Sequence, residues 1–254
     1  MSHPIALVSL MRGMCTMNHG MGSINEELYE KVKDSVRLST PVQKIVIDDK
    51  KVKGVETKDG FLEADQVICA TDAFIAQKIM PDLPDTIRKP LETCKYSSTF
   101  MYEFSLDKKI TPKHFFVMML PGTTDPLVAI CDAAHDTATT PPDSSLILSL
   151  TAGWHDESLC KLSEEDRRRL VIRETKKYLP EFPDEPPRTE VFRHDRAINL
   201  ESPGQFNAIH DLQKNRMREV KGLYLAGEYL FLIASTEGAY ATGEKAAHMV
   251  IEDL

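Results

Sequence analysis

The most constraining stretch of this chain is its end. Gly222-Leu223-Tyr224-Leu225-Ala226-Gly227-Glu228 reads as a short apolar strand that stops at a glycine and a carboxylate, and Ser235-Thr236-Glu237-Gly238-Ala239 carries the start signal of a helix reaching about Glu252. The start of that helix is built of very small residues: Gly238, Ala239, Ala241, Thr242, Gly243, Ala246 and Ala247. Glycine is about 1 kcal/mol worse than alanine inside a helix, so stability alone does not account for this choice. Close approach of something flat, or of another backbone, accounts for it better.

The rest of the chain divides by periodicity and turn signals. After His19-Gly20-Met21-Gly22, a capping residue and the carboxylates Glu26 and Glu27 predict a helix to about Asp34. Val42 to Ile47, Val52 to Thr57 and a short strand at Phe61-Leu62, separated by Asp48-Asp49-Lys50 and Lys58-Asp59-Gly60, predict a three-stranded meander. Gln66 to Thr71 reads as a buried strand ending in a polar turn, and Asp72 to Thr93 as helix broken by Pro81, Pro84 and Pro90. A mostly stranded region follows, with strands at Thr99–Leu106, Phe115–Leu120, Leu127–Cys131 and Ser145–Thr151. Ser163-x-x-Asp166 opens one clear helix to Leu179, with Glu164/Arg168 and Glu165/Arg169 at i,i+4 spacing, so the Arg167-Arg168-Arg169 run reads as a solvated face.

Composition removes several classes of function. With 31 basic against 39 acidic residues and a net charge of −8, the chain lacks the basic footprint that a nucleic-acid surface requires. Its notable apolar run, Phe115 to Leu120, is far short of the roughly 20 residues that cross a bilayer, so no transmembrane segment is expected. Ile5-Ala6-Leu7-Val8 has neither the basic start nor the cleavage site of a signal peptide. The five cysteines are scattered and odd in number, which fits a reducing cytoplasm, and neither they nor the eight histidines show metal-ligand spacing. No nucleophile elbow or Cys/His arrangement is present, so no catalytic side chain is named.

Leu225-Ala226-Gly227-Glu228, then Glu237-Gly238-Ala239 and Thr242-Gly243-Glu244-Lys245-Ala246-Ala247, resemble the C-terminal signature of the flavin-dependent amine oxidases, protoporphyrinogen oxidases and phytoene desaturase-like oxidoreductases. Gly20-Met21-Gly22-Ser23-Ile24, Pro41-Val42 with Ile45, Ala64-Asp65 through Ala70-Thr71, and Arg193 with Ala197-Ile198 and Pro203-Gly204 are similar to further landmarks of that family, in the family's order. His194 stands where many relatives carry Trp, and Asn199 where they often carry Pro. The strand-linked G-x-G-x-x-G that cradles the FAD pyrophosphate is not among these residues. Gly20-x-Gly22 with Asp48 is a poor substitute, since Asn25 stands at the third glycine's position.

The resemblance implies an α/β (α+β) fold: a partial, Rossmann-like FAD-binding domain from non-contiguous segments, 1–92 and 207–254, with an antiparallel-sheet substrate domain at 93–206. It implies FAD held non-covalently, because residues 225–239 contain no cysteine. Its cofactor-binding candidates are Val42, Ala70, Thr71, Gly227, Glu228, Thr236, Glu237, Gly238 and Ala239. Against these stand the plainer readings of a core valine, a turn threonine, a surface glutamate and a simple helix cap. The activity implied is hydride removal from a C–N or C–C bond of a small-molecule substrate. A truncated gene, an engineered fragment or one subunit of a split enzyme would account for the missing fingerprint, with self-association or a complementary dinucleotide-binding chain expected. A flavoprotein-like interaction module without catalysis is the alternative.

Overall fold

The computed structural model describes residues 17, 19–112, 115–120, 123–134, 140–231 and 234–254. The Ile5–Val8 segment and Cys15 lie outside them. In chain order the elements are α1 (Gly22–Val32), β1 (Val42–Asp48), β2 (Lys51–Thr57), β3 (Gly60–Glu63), β4 (Val67–Cys69), α2 (Ala73–Ile79), α3 (Asp85–Glu92), β5 (Lys95–Leu106), β6 (Phe116–Met118), β7 (Leu127–Asp132), β8 (Ser145–Thr151), α4 (Asp156–Cys160), α5 (Glu164–Tyr178), β9 (Arg188–Leu200), α6 (Gln205–Asp211), β10 (Leu223–Leu225) and α7 (Thr236–Glu252). The chain forms two compact units, one of residues 37–97 with 195–254 and one of residues 98–194 with 1–36.

The unit of 37–97 and 195–254 contains two small sheets. β1, β2 and β3 form the antiparallel meander that the β-branched runs and the Lys58-Asp59-Gly60 turn predict. β4 and β10, distant in sequence, pair in parallel with Val67 opposite Leu223 and Cys69 opposite Leu225. Lys221 joins the two sheets, donating its N–H to Lys50 O at 2.8 Å and accepting from Val52 N at 3.0 Å. Ile45, Val52, Cys69, Ile87, Leu91, Leu212, Leu223, Leu225 and Tyr229 share one core. Burial of this kind is what stabilises so short a parallel pair, since β4 and β10 contribute few ladder bonds. Pro90 does not break α3 as expected. It lies in the last turn, where one backbone bond is lost while Ile87 and Leu91 remain anchored in the core.

In the unit of 98–194 and 1–36, one sheet runs in the order β6-β7-β8-β5-β9. β8 alternates buried and half-buried residues along its whole length, as a strand covered on one face requires. The covering element is α5, whose Val171 and Ile172 pack with Phe104, Ile130, Ile147 and Phe182. Ser163 caps α5 by accepting from Asp166 N at 3.1 Å, and of the two expected i,i+4 pairs Glu165–Arg169 forms among the described residues. Thr175 of α5 and Ser149 of β8 share a buried hydrogen bond of 2.8 Å. Two expectations change. α1 starts at Gly22 itself with no side-chain cap and buries no residue. β9 was not legible as a strand because its run from Arg188 to Leu200 is charged and mostly exposed, the usual defence of a sheet edge.

Candidate functional site

Parallel strands present their carboxyl ends on one side, and in open α/β sheets ligands bind outside those ends. Here the ends of β4 and β10 stand together: Ala226 N donates to Cys69 O at 3.0 Å, extending the ladder one residue past the strands. The next residues are Ala70 and Thr71 on one strand and Gly227 and Glu228 on the other, all pairs that the sequence singles out. Ala70 is exposed, while Thr71, Gly227 and Glu228 are half-buried. Gly227 adopts φ +148° and ψ 160°, a conformation effectively reserved for glycine.

Thr242 of α7 fixes this junction. Its hydroxyl accepts from Gly227 N at 3.0 Å and lies 3.1 Å from Gly227 O and 2.9 Å from Gly238 O, so one side chain ties the strand end to the first turn of the helix. The sequence shows Thr242 only as one of several small residues; a hydroxyl one helical turn after Gly238 was the available signal. Thr242→Val keeps the shape and leaves the Gly227 N–H without an acceptor. The expected result is a loss of about 1–2 kcal/mol in the urea-unfolding free energy, with Thr242→Ser close to wild type. Equal midpoints for all three proteins would mean that the hydroxyl does not hold the strand end.

At the start of α7, Ser235 caps the helix by accepting from Gly238 N at 3.1 Å. That uses one of the helix's orphan donors and leaves the first-turn N–H groups of Thr236 and Glu237, both exposed, at the positive end of the helix. Gly238 is buried, and a Cβ there would lie 2.7 Å from Cβ of Phe231. Within the chain, the close neighbour that keeps this position small is thus the Phe231 side chain. Ala239 is exposed, and Gly243, where a Cβ would meet nothing within 4 Å, has no such neighbour. Val42 stands apart from this cluster, on β1 opposite Thr57.

Beneath the strand ends lies a set of buried neutral groups. Tyr229 is fully buried and its hydroxyl has no hydrogen-bond partner among the described residues. Burial raises its pKa well above the usual phenol value, with Cys69, Cys94, Tyr96 and Glu228 adding to the effect. Burial likewise raises the thiol of Cys69 and pushes that of Cys94 up to about 11, so neither is a thiolate near neutral pH. Among the described residues, no cluster of His, Cys, Asp and Glu could hold a metal ion, and no helix is long and apolar enough to cross a membrane.

These residues fit an anionic, hydrogen-bond-accepting cofactor in one respect and limit it in another. The N–H groups of Thr236 and Glu237, bonded to no described residue, and the exposed Ala70 offer donors and space at the strand ends, while the Thr71 hydroxyl donates to Asp72 O at 3.2 Å and is left as an acceptor. Both backbone groups of Gly227 and the N–H of Gly238 are engaged within the chain, so they are not open donors.

Solved structures with this fold include a putative protoporphyrinogen oxidase from Exiguobacterium sp. 255-15, at TM-score 0.73 and 17% identity, covering 90% of this chain and 51% of that one. Cyclohexylamine oxidase from Brevibacterium oxydans IH-35A aligns at TM-score 0.75 and 15% identity over 92% of this chain and 53% of its own. Putrescine oxidase bound to putrescine aligns at TM-score 0.70 and 15% identity, with the same coverage of 92% and 53%. The chain therefore spans about half the length of the solved structures it matches. A search of curated proteins returned no match. The family model described as flavin containing amine oxidoreductase matches residues 7–251, nearly the whole sequence, and the chain belongs to that family.

Proposed function

We propose that this chain contributes the C-terminal, cofactor-facing part of an FAD-dependent oxidoreductase that removes hydride from a C–N or C–C bond of a small molecule. One observation carries the reading: the carboxyl ends of β4 and β10 and the first turn of α7 meet at a single place, tied together by Thr242. Bound there, flavin would supply the hydride acceptor. The exposed N–H groups of Thr236 and Glu237 would face negative charge on that acceptor, and the helix end would stabilise it without reorganising. Thr71 and Glu228 would hold hydroxyl or ribose groups at the strand ends. Attachment is non-covalent, in keeping with the neutral, buried thiols of Cys69 and Cys94. We assign the cofactor role to 1–92 and 207–254 and the substrate role to 93–206. The unpaired Cys69, Cys94, Cys131 and Cys160 suit a reducing cytoplasm.

A complementary dinucleotide-binding segment belongs to this proposal. Among the described residues the parallel sheet consists of the two strands β4 and β10, and Ile68 in it is 40% exposed, whereas parallel sheets are ordinarily covered on both faces. Titration of the 254-residue chain with FAD, followed by flavin fluorescence, is expected to give a Kd on the order of 100 µM or weaker, because no glycine-rich loop cradles the pyrophosphate. Adding a dinucleotide-binding segment in trans should tighten it at least tenfold. Tight one-to-one binding by the chain alone would assign the pyrophosphate to another loop. Absence of binding even with the added segment would favour a non-catalytic interaction module.

A further inference from the structure

Arg196 of β9 is a positioned cation with donors to spare. Its Nε donates to Asp72 Oδ2 at 2.9 Å, and its guanidinium carbon lies 5.0 Å from the centre of the Phe74 ring. Asp72 is itself fixed, because its other oxygen caps α2 by accepting from Ile75 N at 2.8 Å. The guanidinium is thus held on two sides through one of its five N–H donors, and neither terminal amino group is hydrogen-bonded to any described residue. Such a fork matches a carboxylate bidentately.

The group lines a cleft of about 350 Å³ together with Phe74, Tyr96, Lys95 and Asp195, a volume within the range of small-molecule sites. A second donor lies in the same wall. The Tyr96 hydroxyl accepts from Ala73 N at 2.9 Å and gives its own proton to no described residue. Burial, its leading cause, and nearby negative groups hold that phenol protonated. Asp72, Asp195 and Glu92, which also lines the cleft and pairs with Arg88 at 3.1 Å, offset the positive charge of Arg196 and Lys95, so selection here rests on directed donors and the aromatic wall. That combination suits a carboxylate carried on an apolar body better than a bare small anion. Asp72, which holds Arg196, follows Thr71 of the candidate cofactor site directly in sequence.

We propose that this cleft binds the carboxylate of a small apolar or aromatic acid on the Arg196 fork, and that the substrate class of the enzyme carries such a carboxylate. The second half rests on the flavin reading; the first does not. The probe is phenylacetate, titrated into the 254-residue chain and followed by amide chemical shifts, with phenylacetamide as its neutral counterpart. A Kd on the order of millimolar is expected for the acid, and a value at least about tenfold weaker for the amide. Arg196→Gln should weaken the acid at least about tenfold and Arg196→Lys by less, with shifts centred on Phe74, Lys95 and Tyr96 and the thermal midpoint retained. Equal binding of acid and amide, unchanged affinity in Arg196→Gln, or no saturable binding of phenylacetate would each overturn the proposal. Should Arg196→Gln fail to fold, the acid and amide comparison on the unaltered chain decides alone. A parallel FAD titration of each protein, with the dinucleotide-binding segment added in trans, separates the two readings: acid binding without flavin binding even then sinks the flavin reading and leaves this subsite standing.

Discussion

Gly227→Ala is expected to lower the unfolding free energy of the unit formed by residues 37–97 and 195–254 by about 3 kcal/mol, combining a glycine-only backbone with overpacking. The backbone at Gly227 has φ +148°, and an added Cβ would stand 2.6 Å from Cε1 and 2.9 Å from Cδ1 of the Tyr229 ring. Tyr229 is 1% exposed and in contact with the shared core, so the ring has nowhere to retreat. Relaxing the backbone instead would break the Thr242 hydrogen bond to Gly227 N, and the strand end would separate from α7. Urea unfolding measures the loss. Gly243→Ala supplies the contrast: it lies in the same helix as Thr242, an added methyl group there would meet nothing within 4 Å, and it should gain up to about 1 kcal/mol from helix propensity. If Gly227→Ala came within about 0.5 kcal/mol of wild type, the strand end could not hold the geometry on which the proposed cofactor site depends.

What the sequence could express of this site is local, and what it could not is long-range. The β1–β2 hairpin follows from β-branched residues on either side of Asp48-Asp49-Lys50, and α5 from a serine cap followed by three carboxylates. Each signal lies within a few residues of the element it sets. The parallel register of Val67 with Leu223 has no local signature, because its two strands are joined only after most of the chain has intervened. Small residues at the start of α7 were visible, yet the neighbour that demands one at Gly238, Phe231, is seen only in three dimensions. The same holds for Arg196, whose partner Asp72 reads in sequence as a turn residue after Thr71. Family resemblance reaches further than periodicity in one respect, since it groups the segments ending at Thr71 and Glu228, whose strands β4 and β10 the fold pairs. It could not tell that Thr242 occupies both backbone groups of Gly227, because that follows from the helix's placement against the strand end.

Asp132→Ala is expected to destabilise the unit of residues 98–194 by about 3 kcal/mol at neutral pH, a buried acceptor being removed from several donors at once. Asp132 is 6% exposed at the end of β7. It accepts from Ala134 N at 2.9 Å, from Leu146 N at 3.0 Å and from the Thr111 hydroxyl. Burial by itself would raise its pKa, but hydrogen bonds from Thr111, the Ala134 N–H, Ser145 and the Leu146 N–H outweigh it and hold the carboxyl below its ordinary value of 3.8. The folded pKa is therefore depressed, so this contribution is fully present above the unfolded value and is lost as pH falls through the folded one. The gap in unfolding free energy between wild type and Asp132→Ala should accordingly be constant from pH 7 to about 5 and shrink below pH 3.8. Asp132→Asn keeps one acceptor oxygen and should fall between the two proteins, with no acid-linked change of its own. A gap that stayed constant down to pH 2 would show that the carboxyl titrates alike folded and unfolded, and that the turn after β7 is held by packing around Ile130 and Ile147 instead.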